Sequence, residues 1–452
     1  MPIERFLEFL PNTGHSANEM KNAVIEVLKK YSINIENCRW QSYDNAANMA
    51  GTYNGFQAQI LKIAPLATFI PCSAHSLNLV AKSAANISLE AKIFFSMIDG
   101  VYNFFSASTR LWDKLKFQSI VVKKLCPTRW SARADAISNL RVNLPKIVEI
   151  FENIANDENE KYDIVAAAIG YIKQLNRIET NILLAYWDTI LERFEITSKK
   201  LQDIETDIIT VENLYNSLIG YVGDQSKNFT VFEHEAKKIC DTESYDDECK
   251  RFNRPKLFHD DSVQNNIPLT GRDRFKKNVF DPINKSIIAE LQKRSKAYKN
   301  FANKFLFINQ LTILNITEIQ SKANVLLKTY EIDLEDCFIN ECVHIREYLK
   351  EIKVNNPSLS ALYSIIRQRS LESVYPNLEI ALRIFLSTPA SNCSAERSFS
   401  ALRRIKSYMR SSLSQEKLNA FTILASSNDM LENLVFEEIY NEFIKLKIRR
   451  KF

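Results

Sequence analysis

Tyr43-Asp44-Asn45-Ala46-Ala47-Asn48-Met49 ends a stretch that begins at Cys38 and reads as a strand, with Asp44 at its end and small residues leading into a turn. On the N-terminal side, Phe6 to Leu10 is a short strand-like piece stopped by Pro11. Ser16 to Tyr31 carries Met20, Val24, Val27 and Leu28 at helical spacing, with Lys29 and Lys30 in its last turn. On the C-terminal side, residues 53–63 place Tyr53, Phe56, Ile60 and Ile63 on a second helix, and Thr68 to Pro71 is a brief strand. Residues 73–125 read as two or more helices. Strand, helix, strand, helix, strand is an α/β order.

After about residue 135 the pattern changes. No proline interrupts residues 146–254, and Ile178, Ile182, Tyr186, Ile190 and Phe194 form one stripe at i+4 steps. A polar, acidic break (Asp241 to Asp247, then His259-Asp260-Asp261) predicts a surface loop before helical spacing resumes from Asp273 to about Asp333. Residues 135–357 are thus expected to be an all-helical insertion in an α/β part that starts with residues 1–134. Residues 358–430 complete that part. They hold one helix with Phe399, Leu402, Ile405 and Met409 and another with Leu418, Phe421 and Leu424. Residues 431–452 are a tail ending in the basic run Lys445 to Lys451.

Composition narrows the function classes. The chain has 452 residues, 46% hydrophobic and 25% charged, which fits a folded protein with a large core or two domains. Its eight glycines form no G-x-G-x-x-G and no Walker-type loop, so no phosphate cradle is read. No run of about 18 apolar residues is present, and Met1-Pro2-Ile3-Glu4 starts no signal peptide, so a soluble intracellular protein without membrane contact is expected. Eight dispersed cysteines suit reduced thiols rather than a disulfide framework. A net charge of +5 is a weak pointer to nucleic acid.

Four runs follow one another along the chain: Asp44 at its strand end; Cys72-Ser73-Ala74-His75 with Leu77-Asn78-Leu79-Val80; Thr128-Arg129-Trp130; and Ser394-Ala395-Glu396-Arg397-Ser398-Phe399-Ser400. In this order they resemble the catalytic core of the hAT-superfamily DNA transposases. Similar shortened relatives, such as the zinc finger MYM-type 1-like proteins, are recognised chiefly by a C-terminal hAT dimerisation region. The resemblance implies an RNase H-like fold carrying three metal-binding carboxylates, interrupted by a helical domain. The expected fold is therefore a mostly helical α/β protein, with an incomplete RNase H-like core interrupted by a large all-helical insertion and three to five short strands. It further implies that Asp44 and Glu396 are two of the carboxylates, that His75 assists chemistry on the DNA strand, and that the three converge. Arg129 and Trp130 match the family's Arg-Trp pair. A guanidinium can clamp a phosphate, and an indole face can stack an unpaired base.

Cutting and rejoining a phosphodiester takes two divalent cations about 4 Å apart, held by hard oxygen ligands. Asp44 and Glu396 are the right groups, but the family's first Asp has no match: Phe6 to Leu10 aligns with the third strand, and Glu4 and Glu8 lie on the wrong one. The first two strands and the N-terminal zinc finger are likewise unmatched, so the chain reads as N-terminally truncated. No cofactor is expected in this chain; Asp44 and Glu396 would hold Mg or Mn only if an upstream segment supplied the missing Asp. Zinc readings are weak, because His234, Cys240, Cys249 and His259 fit no compact finger, and Cys337, Cys342 and His344 fall on a helix.

The functional expectation is a domesticated, catalytically inactive, transposase-derived protein that self-associates, or pairs with other hAT-domain proteins. Leu402, Leu418, Phe421 and Leu424 form its expected dimerisation surface. Weak non-specific DNA binding is expected from Arg129, Trp130, Arg397, Arg403 and Arg404, with Lys406 and Arg410 alongside, and the resemblance implies the nucleus. The alternative is a metal-dependent hAT transposase whose zinc finger and first Asp lie on a missing upstream segment.

Overall fold

The computed structural model describes residues 2–11, 14–125, 130–240, 244–245, 270–407, 410 and 412–446. It divides into a first unit built from residues 1–72 and 304–452, and a second from residues 73–303.

The first unit opens on α1 (Ala17–Lys30), where Ser16 and Glu19 cap each other's backbone reciprocally. The Ser16 hydroxyl holds the Glu19 carboxyl below its ordinary range. After β1 (Trp40–Gln41) and α2 (Ala47–Ala50) comes α3 (Phe56–Leu61). Met20 and Val24 of α1 pack on a cluster of Ala17, Phe56, Ile60, Ala64 and Ala67. Gly55 is needed between α2 and α3, because a Cβ there would stand 2.5 Å from the Gly51 backbone.

A parallel partner to β1, β2 (Thr68–Phe69), pairs Trp40 with Thr68 and Gln41 with Phe69. Backbone bonds extend the ladder at every second residue: Thr68 N–H to Arg39 C=O at 3.0 Å, Ile70 to Gln41 at 2.9 Å, and Cys72 to Tyr43 at 3.3 Å. Gln41 is buried, and its amide donates to the Gln57 and Ala67 carbonyls.

The regular elements among the described residues of the second unit are helices: α4 (Ser73–Ala84), α5 (Leu89–Ser106), α6 (Thr109–Phe117), α7 (Trp130–Ala155), α8 (Tyr162–Leu175), α9 (Ile178–Leu201), α10 (Ile208–Gln225), α11 (Phe229–Lys237), α12 (Gly271–Phe275) and α13 (Asp281–Asn309). The five-residue stripe from Ile178 to Phe194 is buried, and Leu183, Leu184, Trp187 and Leu191 bury other faces of the same helix. Apolar on most sides, α9 is the helix around which α4, α7, α10 and α11 pack.

The chain re-enters the first unit inside α13. It continues through α14 (Ile316–Thr329), α15 (Phe338–Glu351), α16 (Leu359–Gln368), α17 (Pro376–Leu386), α18 (Cys393–Ile405), α19 (Gln415–Ser426), α20 (Asn428–Leu431) and α21 (Phe436–Leu446). The Glu341 carboxylate, buried on α15, accepts the Leu378 N–H at 2.8 Å and the Asn377 amide at 2.7 Å, capping α17 from a distance. Arg39, which precedes β1, forms a two-bond ion pair with Asp333 at 2.6 Å per bond.

Three expectations change. Only two strands occur among the described residues, each two residues long, fewer than the three to five expected. Phe6 to Leu10 is not a strand: the Phe9 N–H donates to Asn419 Oδ1 at 3.0 Å and its carbonyl accepts from Gln415 Nε2 at 2.6 Å, so α19 side chains satisfy this backbone. The helical unit is bounded at 73 and 303 rather than 135 and 357, because α5 packs on α7 and α8 while α15 packs on α14 and α17. In the tail, residues 436–446 are a helix with Glu437 and Glu438 in its first turn, while residues 447–452 lie outside the described residues.

Candidate functional site

Cys72 is the residue through which the Asp44 and Glu396 segments meet in the first unit. Its N–H ends the ladder on the Tyr43 carbonyl, one residue before Asp44. Its buried sulfur accepts the Asn392 N–H at 3.5 Å, one turn before Glu396, and its thiol donates to the Cys393 sulfur. Two elements far apart in sequence are therefore held by one residue, one through its backbone and the other through its sulfur.

Asp44 is half-buried and accepts the Ala46 N–H at 3.1 Å, which turns the chain out of the strand and into α2. Tyr43 beside it packs on Phe56 and Phe69, and burial pushes its phenol far above the ordinary value. Glu396 is exposed in the first turn of α18, a favourable place for a carboxylate at a helix N-terminus. The oxygens Ser42 Oγ and Asn392 Oδ1 are buried without a hydrogen-bond partner, unspent polarity on either side of Cys72.

A catalytic metal pair would need several ligating side chains aimed at one point. Among the described residues no group of three or more His, Cys, Asp or Glu is so gathered. Asp44 is turned to its own backbone and Glu396 to the surface, so the residues present do not fit a metal pair.

His75 lies on α4 of the second unit and is half-buried. Trp130 begins α7, and Arg129 lies outside the described residues. Arg397 is exposed and donates to Ser394 Oγ at 2.6 Å, while Arg403, Arg404 and Lys406 are exposed near the end of α18. Of the suggested zinc ligands, His234 and Cys240 are described, while Cys249 and His259 lie outside the described residues.

The anticipated dimerisation stripe divides. Leu418 is 5% exposed and packs inside the unit, Leu402 is half-buried, and Phe421 and Leu424 are 44% and 45% exposed. The cause is helical geometry: at 3.6 residues per turn, each three-residue step rotates about 60° off the starting face. Leu418 to Phe421 to Leu424 therefore winds away from the buried side, which Thr422 continues. Leu418 is a core residue of this unit rather than part of a free surface.

Sequence reading missed the Cys72–Cys393 contact. It considered Cys72 only with His75, and Cys393 stands outside the Ser394 to Ser400 run.

Two family models match. One, for the hAT family C-terminal dimerisation region, covers residues 344–430. This chain carries the hAT dimerisation region. The other, for the ZMYM1/FAM200 RNase-like domain, covers residues 1–55, so the hAT resemblance holds at both ends of the chain. The chain is similar to the human "52 kDa repressor of the inhibitor of the protein kinase", 21% identical over 470 residues, which cover 98% of this chain and 60% of the relative. The mouse protein of that name is 21% identical over 473 residues with the same shares. The chain thus spans about 60% of the length of these relatives.

Proposed function

We propose that this chain is a transposase-derived interaction protein that acts by self-association through its C-terminal hAT region, without cutting DNA. One observation carries the reading. Inside the segment that matches the hAT dimerisation region, Phe399, Phe421, Ile423 and Leu424 are each 38% exposed or more, on two helices that pack together. Beyond that segment, α21 exposes Phe436, Ile439, Tyr440, Phe443 and Ile444. Its acidic Glu437, Glu438 and Glu442 complement the basic Arg403, Arg404 and Lys406 of α18, a pairing that suits a second copy of the chain. The relatives' printed name, a repressor, supports a regulatory role in place of turnover.

The RNase-like match and the parallel β1–β2 pair, with Asp44 beyond its end, support a residual RNase H-like core. Asp44, bonded to its own backbone, and Glu396, exposed on α18, support the reading without strand cutting. The exposed arginines of α18 support weak DNA contact through phosphates, without base readout.

Sedimentation velocity of the full chain tests the central reading. A dimer at micromolar concentration is expected, and a strict monomer over that range refutes it.

A further inference from the structure

Two thiols meet in the first unit where the two motif-bearing segments meet. Cys72 is fully buried at the end of the extended ladder, and Cys393 is 5% exposed at the first position of α18. The Cys72 backbone is held by its N–H on the Tyr43 carbonyl, and its sulfur accepts the Asn392 N–H at 3.5 Å. Because Asn392 directly precedes Cys393, the bond that orients Cys72 also delivers the second sulfur. Neither cysteine is in a disulfide, and the Asn392 N–H on the Cys72 sulfur sets Cys393, the next residue, beside it.

We propose that Cys72 and Cys393 are an oxidative modification site, a dithiol that closes to a disulfide when hydrogen peroxide reaches it. The Cys393 thiolate attacks one peroxide oxygen, the O–O bond breaks, and hydroxide leaves and is protonated to water. Cys393 is then a sulfenic acid. The Cys72 sulfur attacks the Cys393 sulfur, the S–O bond breaks, and the departing oxygen takes the Cys72 proton as a second water. Two thiols are oxidised by two electrons, and one peroxide is reduced to two waters.

The environment of Cys393 favours the attacking role. The Cys72 thiol, then the Ser391 hydroxyl, stabilises its thiolate against burial and lowers its pKa to about 7. The N-terminal turn of a 13-residue helix adds in the same direction. Cys337, by contrast, is exposed with its thiol pushed up, first by partial desolvation and then by the Glu341 carboxylate. Exposure alone would favour Cys337; thiolate character and a waiting partner favour Cys393. The disulfide would tie the end of the residue 1–72 segment to a helix of the hAT region, closing a loop that contains the whole second unit. Such long closures restrict the unfolded chain strongly in the entropic account of cross-linking.

The test uses the full reduced chain, titrated with hydrogen peroxide at neutral pH, quenched with N-ethylmaleimide and mapped by non-reducing peptide mass spectrometry. The expected result is a Cys72–Cys393 linked peptide, formed at lower peroxide than any modification of Cys337, reversed by dithiothreitol and accompanied by a higher melting temperature. Cys72→Ser and Cys393→Ser should each abolish that peptide. If either variant fails to fold, the wild-type map alone decides. Recovery of both cysteines as maleimide adducts at a dose that oxidises Cys337 overturns the proposal, as does a sulfinic acid at Cys393 with no cross-link.

Discussion

The Phe9 N–H donates to Asn419 Oδ1 at 3.0 Å, joining residues 410 positions apart. Gln415 takes the carbonyl of the same residue, and the Phe9 ring lies 5.3 Å from that of Phe399. The N-terminal segment is therefore docked on α18 and α19. Asn419→Ala leaves the part-buried Phe9 amide unpaired and should cost about 1–2 kcal/mol. Urea unfolding measures this, and an unchanged midpoint would show that the segment is not held there.

Leu418 and Leu424 lie on one helix but face different surroundings. Leu418→Asp buries a charge in the core and should unfold the chain, with the helical circular dichroism signal lost. Phe421→Asp and Leu424→Asp should leave folding within about 0.5 kcal/mol of wild type and weaken the dimer at least tenfold by sedimentation. A dimer that survives both surface changes would remove α19 from the interface.

Glu341 offers a test of packing at the edge of the hAT region. Glu341→Ala orphans the Leu378 N–H and the Asn377 amide, at a cost of about 2–3 kcal/mol. Glu341→Gln keeps an acceptor oxygen and should cost about half as much. Equal losses in thermal unfolding would mean that space filling, rather than capping, is what Glu341 supplies.

The Cys72–Cys393 contact makes a prediction about pH. In the folded chain the Cys393 pKa is about 7, against an ordinary 9.0, so folding favours its thiolate. That stabilisation is fully present above pH 9 and is lost as pH falls through 7. Stability of the reduced protein should therefore rise from pH 7 to 9 relative to Cys393→Ser, by on the order of 1–2 kcal/mol. Parallel profiles in urea titrations would count against a stabilised thiolate.

Random duplex DNA should bind with a Kd of roughly 10⁻⁴–10⁻⁶ M near physiological salt, and should weaken steeply as salt rises. Arg403→Glu with Arg404→Glu should reduce both the affinity and the salt slope. Tight, sequence-selective binding would contradict a purely phosphate contact, and no binding at low salt would leave self-association alone.

Much of the fold was legible where local chemistry decides it. The spacing of Met20, Val24, Val27 and Leu28 announces α1, and the Ile178 to Phe194 stripe announces the long buried helix. The paired stretches after Cys38 and at Thr68 were legible too, because extended backbone and apolar side chains coincide there. Phe6 to Leu10 misled, since a short apolar run suits an extended chain whether its partner is a strand or two side chains of α19. The unit boundaries were hidden because both sides of residues 135 and 357 are helical, and helical spacing does not say which neighbour a face will choose. At the site, Asp44 and Glu396 were found from their motifs. The central place of Cys72 was not, because it rests on a backbone bond to Tyr43 and a contact across the whole inserted unit.

The nesting of one unit inside the other sets a timetable for synthesis. When the ribosome has made Phe9, the residues that will satisfy its backbone are 406 and 410 positions away. At about 5–20 residues per second this is a wait of roughly 20–80 s. The second unit is contiguous in sequence, but the first 72 residues cannot complete their unit until residues beyond 303 have been made. Their apolar residues, Phe56 and Ile60 among them, can cluster locally, yet the strand pair and its Trp40 bond to Ile384 have no closure until then. Nascent chains should thus pass through a long-lived half-built state that engages chaperones, and fragments ending before α17 should be degraded even though the second unit within them is whole.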